Sequence, residues 1–277
     1  MYPEPFEFIG IHFIRSYGIM LALAFLIGIL WARKRAIKAG ISPDTVVDLS
    51  FVVLLASIIG SRFFYVIYHL DEFSDNILDT INPFQGGSVG ISGLSMMGGV
   101  VLALLAAALF FKIKKINPWP ICDAMMPMFA LGLAIARVGC FLNGCCYGLP
   151  THDHLGLVFP ADSAAGYHYP GLPLIPTQLY STLAGAAILA IVLISEKIKK
   201  FDGHSFWLTL GLYGLWRFTI DFFRFYEESM VLMTVAGQNV SRNQGLSLLL
   251  TLISTFAIII LYRKWKKGRD VDVGSGG

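Results

Sequence analysis

The sequence predicts an all-α polytopic membrane protein with seven transmembrane helices, its N-terminus outside the cell and its C-terminus in the cytoplasm. Its 277 residues are 56% hydrophobic and only 14% charged, whereas soluble domains have about 45–50% apolar and about 25% charged residues. The mean hydropathy is +0.67. This composition excludes a disordered chain and argues against an ordinary soluble enzyme, because too few polar residues remain to coat a soluble surface.

Seven stretches have the ~20 mostly apolar residues that a helix needs to cross the hydrocarbon core. In chain order they are 16–32, 45–68, 91–111, 120–142, 176–195, 204–224 and 244–262. We therefore expect one transmembrane domain over residues 1–262. A loop over about 143–175 is expected to form a small extracytoplasmic cap, and residues 263–277 a basic cytoplasmic tail with a disordered end.

The distribution of basic residues predicts the orientation. Most of the 21 Lys and Arg residues follow the first, third, fifth and seventh stretches, whereas the opposite side has only Arg15, Arg224 and Arg242, each at the edge of a stretch. Loops rich in Lys and Arg face the cytoplasm. The alternation also supports the count of seven, because a missed helix would break it.

Three arginines within the apolar stretches and one acid need an explanation: Arg62, Arg137, Arg217 and Asp221. A charge at mid-bilayer costs about 2.5–3.5 kcal/mol even on insertion scales, so each one indicates a functional site. Each arginine lies about six or seven residues from the outer end of its stretch, which is ~9–10 Å at 1.5 Å per residue. The three guanidinium groups are therefore expected at one level in the outer half of the membrane.

Other polar or small residues reach the same level from stretches that run the opposite way: Tyr17, Gly98, Gly99 and Gln178. Because neighbouring stretches alternate in direction, the coincidence is not an effect of local sequence. The planar fork of arginine suits phosphate, and paired hydrogen bonds add strength and geometry. The pattern predicts a site for an anionic lipid or a lipid phosphate, open to the outer leaflet.

Structural explanations stay open for two of the arginines. Arg62 is also compatible with a side chain that extends to the interface or pairs with a helix end. Arg217 and Asp221 are four residues apart on one helix face and are able to neutralise each other. Arg137 has no acidic partner within its own stretch except Asp123, near the other end.

Seven motifs occur in order along the chain. The longest runs from Ala136 to Gly148, and the others are Arg15-Ser16-Tyr17-Gly18, Gly60-Ser61-Arg62, Gly93-Leu94-Ser95-Met96-Met97-Gly98-Gly99, Pro176-Thr177-Gln178-Leu179-Tyr180, Tyr213-Gly214 with Arg217 and Asp221-Phe222-Phe223-Arg224, and Gln244-Gly245-Leu246-Ser247. Together they resemble the signature of the prolipoprotein diacylglyceryl transferase family over nearly the whole chain. Met97 stands where that family commonly has a histidine, which leaves the identity of the general base open. Cys140 replaces a common Asn, and Cys145 and Ser181 each replace a common Glu.

The resemblance implies a bacterial enzyme of the plasma (inner) membrane, with its active site in the outer leaflet half. It would transfer the diacylglyceryl group of phosphatidylglycerol to the lipobox cysteine of a preprolipoprotein, forming a thioether and releasing glycerol 1-phosphate, the first step of lipoprotein maturation. Its partners would be these two substrates and membrane lipids. No metal, organic cofactor or nucleic acid is expected.

That reaction needs cationic groups for the leaving phosphate and a thiolate nucleophile. We expect Arg137 and Arg217 to stabilise the phosphate, and Tyr17 or Tyr213 to orient the thiol or the ester oxygen. Asp221 is expected to hold Arg217 in place. The residues predicted to bind or shape the substrate site are Arg62, Gly98, Gly99, Arg137, Gly139, Asn143, Gly148, Gln178, Asp221 and Arg224.

The cysteines leave three interpretations open. Cys140, Cys145 and Cys146 are compatible with small apolar residues at a helix end, with a structural disulfide, or with a redox site; their spacing is not typical of zinc. Two other functions accordingly remain as alternatives. One is a lipid-binding or lipid-moving protein on the same scaffold, and the other is a membrane thiol-redox enzyme.

Overall fold

The computed structural model describes residues 16–73, 93–226, 231–235 and 238–274. Within them the fold is mostly helical, with eight α-helices and two antiparallel pairs of short strands. The helices are α1 (Ser16–Lys38), α2 (Pro43–Tyr68), α3 (Met96–Lys114), α4 (Pro118–Leu142), α5 (Ala164–His168), α6 (Thr177–Ser195), α7 (His204–Ile220) and α8 (Arg242–Gly274). Strand β1 (Leu157–Val158) pairs with β2 (Pro173–Leu174), and β3 (Val231–Val235) pairs with β4 (Gln238–Ser241).

Each predicted apolar stretch coincides with a helix. Six of these helices are long and apolar enough to cross a membrane, which supports a multi-pass membrane protein. The seventh, α7, has 17 residues, and a 3-10 turn over Asp221–Phe223 extends it. Arg15 and residues 91–92 of the third stretch lie outside the described residues.

The two strand pairs and the length of α8 go beyond the sequence prediction. The strands are short and lie in the connections between apolar stretches, where hydropathy carries no signal for them. Helix α8 continues to Gly274, so the predicted basic tail is helical over most of its length. Ser241 and Gln244 cap its start reciprocally: the Ser241 Oγ accepts from the Gln244 N–H at 3.1 Å, and the Gln244 Oε1 accepts from the Ser241 N–H at 2.8 Å.

Helix α4 lies at the centre of the bundle and contacts α1, α6 and α7. It begins at Asn117-Pro118, where the Asn117 side chain accepts from the Trp119 N–H at 3.2 Å and proline fits the first turn. Its buried residues run from Ile121 to Cys140, over almost the whole helix. The helix that carries Arg137 is therefore held on several sides.

Ion pairs join the helix ends at one end of the bundle, here called the basic end. Arg35 of α1 pairs with Glu196 at 2.5 Å, and Lys199 pairs with Asp123 of α4 at 2.6 Å. Asp123 also accepts the Gly203 and Phe206 N–H groups, at 2.8 and 2.9 Å, where α7 begins. The opposite end, which carries the loop 143–175, is called the cap end, and α7 runs from one to the other.

Candidate active site

A small pocket lies between α4, α6 and α7 towards the cap end. Its polar lining comes from Arg137, Tyr213 and Arg217, with Ser181 and Trp216 beside them. Three of the four residues predicted to be catalytic are thus brought into one pocket from two helices. The Trp216 Nε1 is buried without a hydrogen-bond partner, so this pocket wall holds an unused donor.

Arg217 is held by a buried carboxylate. Its Nη1 lies 3.1 Å from the Asp221 Oδ1, which gives the ion pair that the four-residue spacing predicted. The Tyr226 hydroxyl links the two groups, accepting from the Arg217 Nη2 at 2.9 Å and donating to the Asp221 Oδ1 at 2.7 Å. Arg224 also reaches Asp221, at 3.9 Å, so one carboxylate serves two guanidinium groups.

The chain leaves α4 through a tightly folded loop, 143–148. Asn143 ends the helix, and Gly144 adopts φ +69°, where a Cβ would lie 2.5 Å from the Ser163 Cβ. Gln178 donates to the Cys145 carbonyl at 2.8 Å, and Thr177 donates to the Cys146 carbonyl at 2.7 Å. The start of α6 therefore fixes the course of this loop, and Gln178 acts on the loop backbone with its buried side chain.

Gly148 lies where the loop passes between the segments around Ile175 and Phe223. A Cβ there would lie 2.6 Å from the Phe223 carbonyl and 2.7 Å from the Ile175 carbonyl. The Leu149 N–H donates to the Phe223 carbonyl at 3.0 Å, which places the residues before Arg224 against the loop. Gly148 thus allows the close approach that brings Arg224 to the cysteines.

The loop gathers three thiols beside Arg137. The sulfur atoms of Cys140, Cys145 and Cys146 lie within 4.8 Å of one another, and each of the chain's cysteines is a free thiol. Arg137 and Arg224 are close enough to Cys146 for their charges to act on it. Three sulfurs at this spacing are able to hold a soft metal ion, but the neighbouring guanidinium charges favour an anion.

Tyr17 approaches the same region from α1. Gly139 faces it, since a Cβ there would lie 3.3 Å from the Tyr17 Cα and 3.0 Å from the Met20 Cβ. Tyr17 is close enough to Arg137 and to the three thiols for their charges to act on it. It does not line the α4–α7 pocket but lies on its α1 side.

Arg62, Gly98 and Gly99 lie in the contact between α2 and α3, away from the lining of the α4–α7 pocket. Arg62 is buried, donates to the Gly93 carbonyl at 3.3 Å and stacks on Tyr65. Gly98 packs on the Gly60 backbone and Gly99 on Ser61. These contacts account for the glycines through helix packing, and their predicted part in substrate binding stays a prediction.

Tyr226, Trp216 and Thr177 were missed by the sequence analysis. Tyr226 follows the last charged residue of its motif, and Thr177 precedes Gln178, so attention to polar neighbours of the motifs would have found both. Trp216 carried no signal, because an aromatic residue in an apolar helix is ordinary. Burial raises the pKa of Tyr226 to about 12, which keeps its hydroxyl protonated at neutral pH.

An apolar groove of about 540 Å³ runs between α1, α2 and α4. It extends from Ala32 and Met125, near the basic end, to Ala136, the residue before Arg137. Its lining is almost entirely aliphatic, aromatic and methionine side chains, broken by Ser50 and Ser57. The apolar groove thus ends beside the cationic side of the pocket at Arg137.

The charges around the pocket are unbalanced. Asp221 pairs with both Arg217 and Arg224, and within the described part of the chain no carboxylate pairs with Arg137. Buried guanidinium groups need anions or hydrogen-bond acceptors, so the site is suited to bind an anion. A cationic pocket next to an apolar groove is suited to an amphiphilic, negatively charged molecule.

Comparison with known proteins identifies the family. A family model described as prolipoprotein diacylglyceryl transferase matches residues 3–260. Three relatives carry the name phosphatidylglycerol–prolipoprotein diacylglyceryl transferase. The one from Dehalococcoides mccartyi is 33% identical over 81% of this chain and 84% of its own length, that from Geobacter sulfurreducens 31% over 90% and 92%, and that from Clostridium tetani 30% over 87% and 92%. The chain belongs to the prolipoprotein diacylglyceryl transferase family, as the motifs predicted.

Proposed function

We propose that the protein transfers the diacylglyceryl group of phosphatidylglycerol to the lipobox cysteine of a preprolipoprotein. The observation that carries the proposal is the pocket in which Arg137, Arg217 and Tyr213 meet. Family membership supplies the reaction, and the pocket supplies the cationic groups that this reaction needs. The products are a thioether-linked lipoprotein precursor and glycerol 1-phosphate.

In the proposed reaction, the lipobox sulfur forms a bond to the glyceryl carbon while that carbon loses its bond to the phosphate oxygen. Negative charge then builds on the leaving phosphate. Arg137 and Arg217 stabilise that charge, and donors that are already in place cost no reorganisation at the moment of reaction. Asp221 and Tyr226 are positioning residues, because they fix the Arg217 fork.

We further propose that the groove between α1, α2 and α4 holds the acyl chains of the lipid. Its apolar lining suits hydrocarbon, and it ends next to Arg137, where the headgroup phosphate would lie. Tyr17 lies one helical turn before Leu21 of the groove and close to the three thiols, and we propose that it orients the incoming thiol. A lipid that slides in from the bilayer would need no passage through water.

The orientation proposed is seven spans with the cap end outside the cytoplasm, in the plasma membrane of a bacterium. The basic residues support it, since the loops and the tail at the basic end carry nearly all lysines, and such loops stay in the cytoplasm. The pocket would then lie in the outer half of the bilayer, where secreted lipoprotein precursors emerge.

The purified protein, reconstituted in vesicles with headgroup-labelled phosphatidylglycerol and a lipobox peptide, should release labelled glycerol phosphate and yield a thioether-linked peptide. Vesicles of phosphatidylethanolamine and a peptide with Ser in place of the lipobox Cys serve as controls. Lipid binding or transfer between vesicles without thioether product would contradict the proposal in favour of a lipid-binding or lipid-moving protein. Thiol oxidation without transfer would favour a redox enzyme.

A further inference from the structure

The loop after α4 brings three thiols to one point. The sulfur atoms of Cys140, Cys145 and Cys146 lie within 4.8 Å of one another, and within the described residues no histidine or carboxylate joins them at that distance. Three thiolates that bind one zinc ion, each at about 2.3 Å, lie about 3.8 Å apart in a tetrahedral arrangement. Side-chain rotations that move each sulfur by about 1 Å therefore suffice to form such a site.

The backbone of the loop holds the thiols in this arrangement. Neighbouring side chains of an extended chain point to opposite sides, yet Cys145 and Cys146 both place their sulfur atoms beside that of Cys140. Cys146 has a φ of +61°, a conformation that costs about 1–3 kcal/mol and persists only where surrounding contacts impose it. Gln178 donates to the Cys145 carbonyl at 2.8 Å. Thr177 donates to the Cys146 carbonyl at 2.7 Å, so the start of α6 keeps the cluster preformed.

The charges around the cluster suit a metal–thiolate complex, because such a complex is itself an anion. Zinc with three thiolates carries one net negative charge, and a fourth thiolate adds a second. Arg137 and Arg224 are close enough to Cys146 for their charges to act on it, and within the described part of the chain no carboxylate pairs with Arg137. The Arg224 Nε is buried with no hydrogen-bond partner among the described residues. Buried charges need such compensation, and the complex and the two guanidinium groups supply it to each other.

We propose that Cys140, Cys145 and Cys146 bind a zinc ion and that the lipobox thiol takes its fourth position. This inference rests on the proposed function and supplies the thiolate which that reaction needs. Structural zinc sites have four protein ligands, whereas catalytic sites have three and keep one position for water or substrate. Cys145 and Cys146 are only half-buried, so a substrate thiol is able to reach the cluster.

In the proposed step, the lipobox S–H loses its proton to water when the sulfur binds, because a coordinating thiol is deprotonated outright. The lipobox sulfur then forms the bond to the glyceryl carbon, and the bond from that carbon to the phosphate oxygen breaks. The electron pair of the broken bond leaves with glycerol phosphate. The neutral thioether is a weaker ligand than a thiolate and is replaced by water, so the step needs no side chain as a general base.

The first test is the metal content of the purified, tag-free, full-length protein in detergent. After incubation with Zn²⁺ and removal of unbound metal, the wild type should retain about one zinc ion per chain. Cys140→Ser and Cys145→Ala should each bind Zn²⁺ at least about 100-fold more weakly, since each removes a ligand. Cys145→Ala truncates a half-buried side chain and should keep the wild-type Tm. Cys122→Ser is the matched control, because Cys122 lies outside the cluster, and it should bind zinc like the wild type.

Zinc bound equally by the wild type and both cluster variants, or by none of them, would overturn the proposal. Thiol titration of the freshly purified, denatured protein without metal should find all four cysteines reduced. Fewer free thiols would overturn the proposal in favour of a disulfide within the cluster.

Cobalt(II) in place of zinc reports the ligands, because its visible absorption depends on the geometry and the number of sulfur ligands. The wild type loaded with Co²⁺ should have the spectrum of a tetrahedral thiolate site. A lipobox peptide should change that spectrum as a fourth sulfur binds, and a peptide with Ser in place of the lipobox Cys should not. A spectrum that neither peptide changes would overturn the substrate's role as a ligand in favour of a structural metal.

Transfer in phosphatidylglycerol vesicles separates this inference from the proposed function. Removal of the metal with a chelator should lower the wild-type rate about 30-fold at pH 7, because only about 3% of a free thiol with a pKa of about 8.5 is ionised there. The loss should shrink as the pH approaches 8.5, and Zn²⁺ but not Mg²⁺ should restore the rate. Undiminished transfer without metal would overturn this inference and leave the proposed function standing. No thioether product from the zinc-loaded wild type would overturn the proposed function, whereas zinc content and the cobalt spectrum test the metal site separately.

Discussion

At the scale of residues, the two arginines of the pocket differ in their neighbours. Arg217 is fixed by Asp221 and Tyr226. Within the described residues Arg137 has no carboxylate partner, and the groups near its charge are the Cys140 and Cys146 thiols and the Tyr213 hydroxyl. The sequence predicted both arginines, because charges inside apolar stretches are conspicuous. It also predicted that Asp221 would hold Arg217 and that Arg137 would lack a nearby acidic partner. It did not predict the thiol cluster beside Arg137, which depends on a loop with no hydropathy signal.

Arg137→Lys should lower kcat about 100-fold, because lysine keeps the charge but loses the planar fork that binds two phosphate oxygens. Turnover in phosphatidylglycerol vesicles is the measurement. Arg263→Lys, an exposed change on α8 at the basic end, should leave kcat unchanged. Equal turnover of Arg137→Lys and wild type would remove Arg137 from the site.

Tyr226→Phe should lower transfer about tenfold, because the hydroxyl that joins Arg217 to Asp221 is lost and hydrogen bonds to charged groups are worth about 1.5–3 kcal/mol. Since the pKa of Tyr226 is raised to about 12, the wild-type hydroxyl stays protonated up to about pH 10 and adds no pH dependence below it. Tyr262→Phe, near the basic end, is the control. An unchanged rate for Tyr226→Phe would mean that Asp221 holds Arg217 alone.

At the scale of elements, the helices were predictable and their connections were not. Composition and hydropathy found every long helix. The cysteine loop was beyond such patterns, because Thr177 and Gln178 reach it from the start of a distant helix. A sequence pattern with a short period cannot report contacts between segments about 30 residues apart.

Gly60→Ala should destabilise the α2–α3 contact by about 1–3 kcal/mol, the usual cost of overpacking. The new Cβ would lie 2.5 Å from the Gly98 carbonyl oxygen and from the Leu102 Cβ. Gly18→Ala in α1 meets nothing within 4 Å and serves as the control. The thermal unfolding of the detergent-solubilised variants should show a lower Tm for Gly60→Ala alone; equal Tm values would contradict the close packing.

Asp123→Asn should lower the free energy of unfolding by about 3–5 kcal/mol, because it leaves Lys199 without its buried, charged partner. The wild-type carboxylate is buried, 2.6 Å from the Lys199 Nζ. Asp202→Asn removes the other, exposed partner of Lys199, at 3.5 Å, and should cost less than about 1 kcal/mol. Chemical denaturation of both variants is the measurement. Similar losses of stability in the two variants would show that the Asp123–Lys199 ion pair does not hold α4 to the segment before α7.

At the scale of the whole molecule, the basic residues and the pocket lie at opposite ends of the bundle. The same few charged residues therefore divide into those that orient the chain and those that form the site. The sequence predicted this division from the alternation of stretches. It could not predict that Arg62 lies in the contact between α2 and α3, away from the pocket. The depth of a residue in the membrane does not say where its helix lies around the bundle.

A fluorescent protein that folds only in the cytoplasm, fused after residue 277, should fluoresce in bacterial cells. This follows from the orientation with the basic end inside. The same reporter inserted at Asp153, in the cap loop, should stay dark. Fluorescence at Asp153 and none at the C-terminus would reverse the proposed orientation and move the pocket to the inner leaflet.

Helix α8 supports the active-site wall that α7 provides. Gly214 of α7 packs on the Ser247 backbone, and the Ser241 Oγ donates to Asp221 at 3.4 Å. Both contacts come from Ser241 and Ser247, which leave the ribosome after every residue that lines the pocket. A chain still being synthesised therefore has the arginines of the pocket in the membrane before they are fully held in place. Catalytic competence should thus begin only with the insertion of the final helix, so truncated products stay inert in the lipid on which the finished enzyme acts.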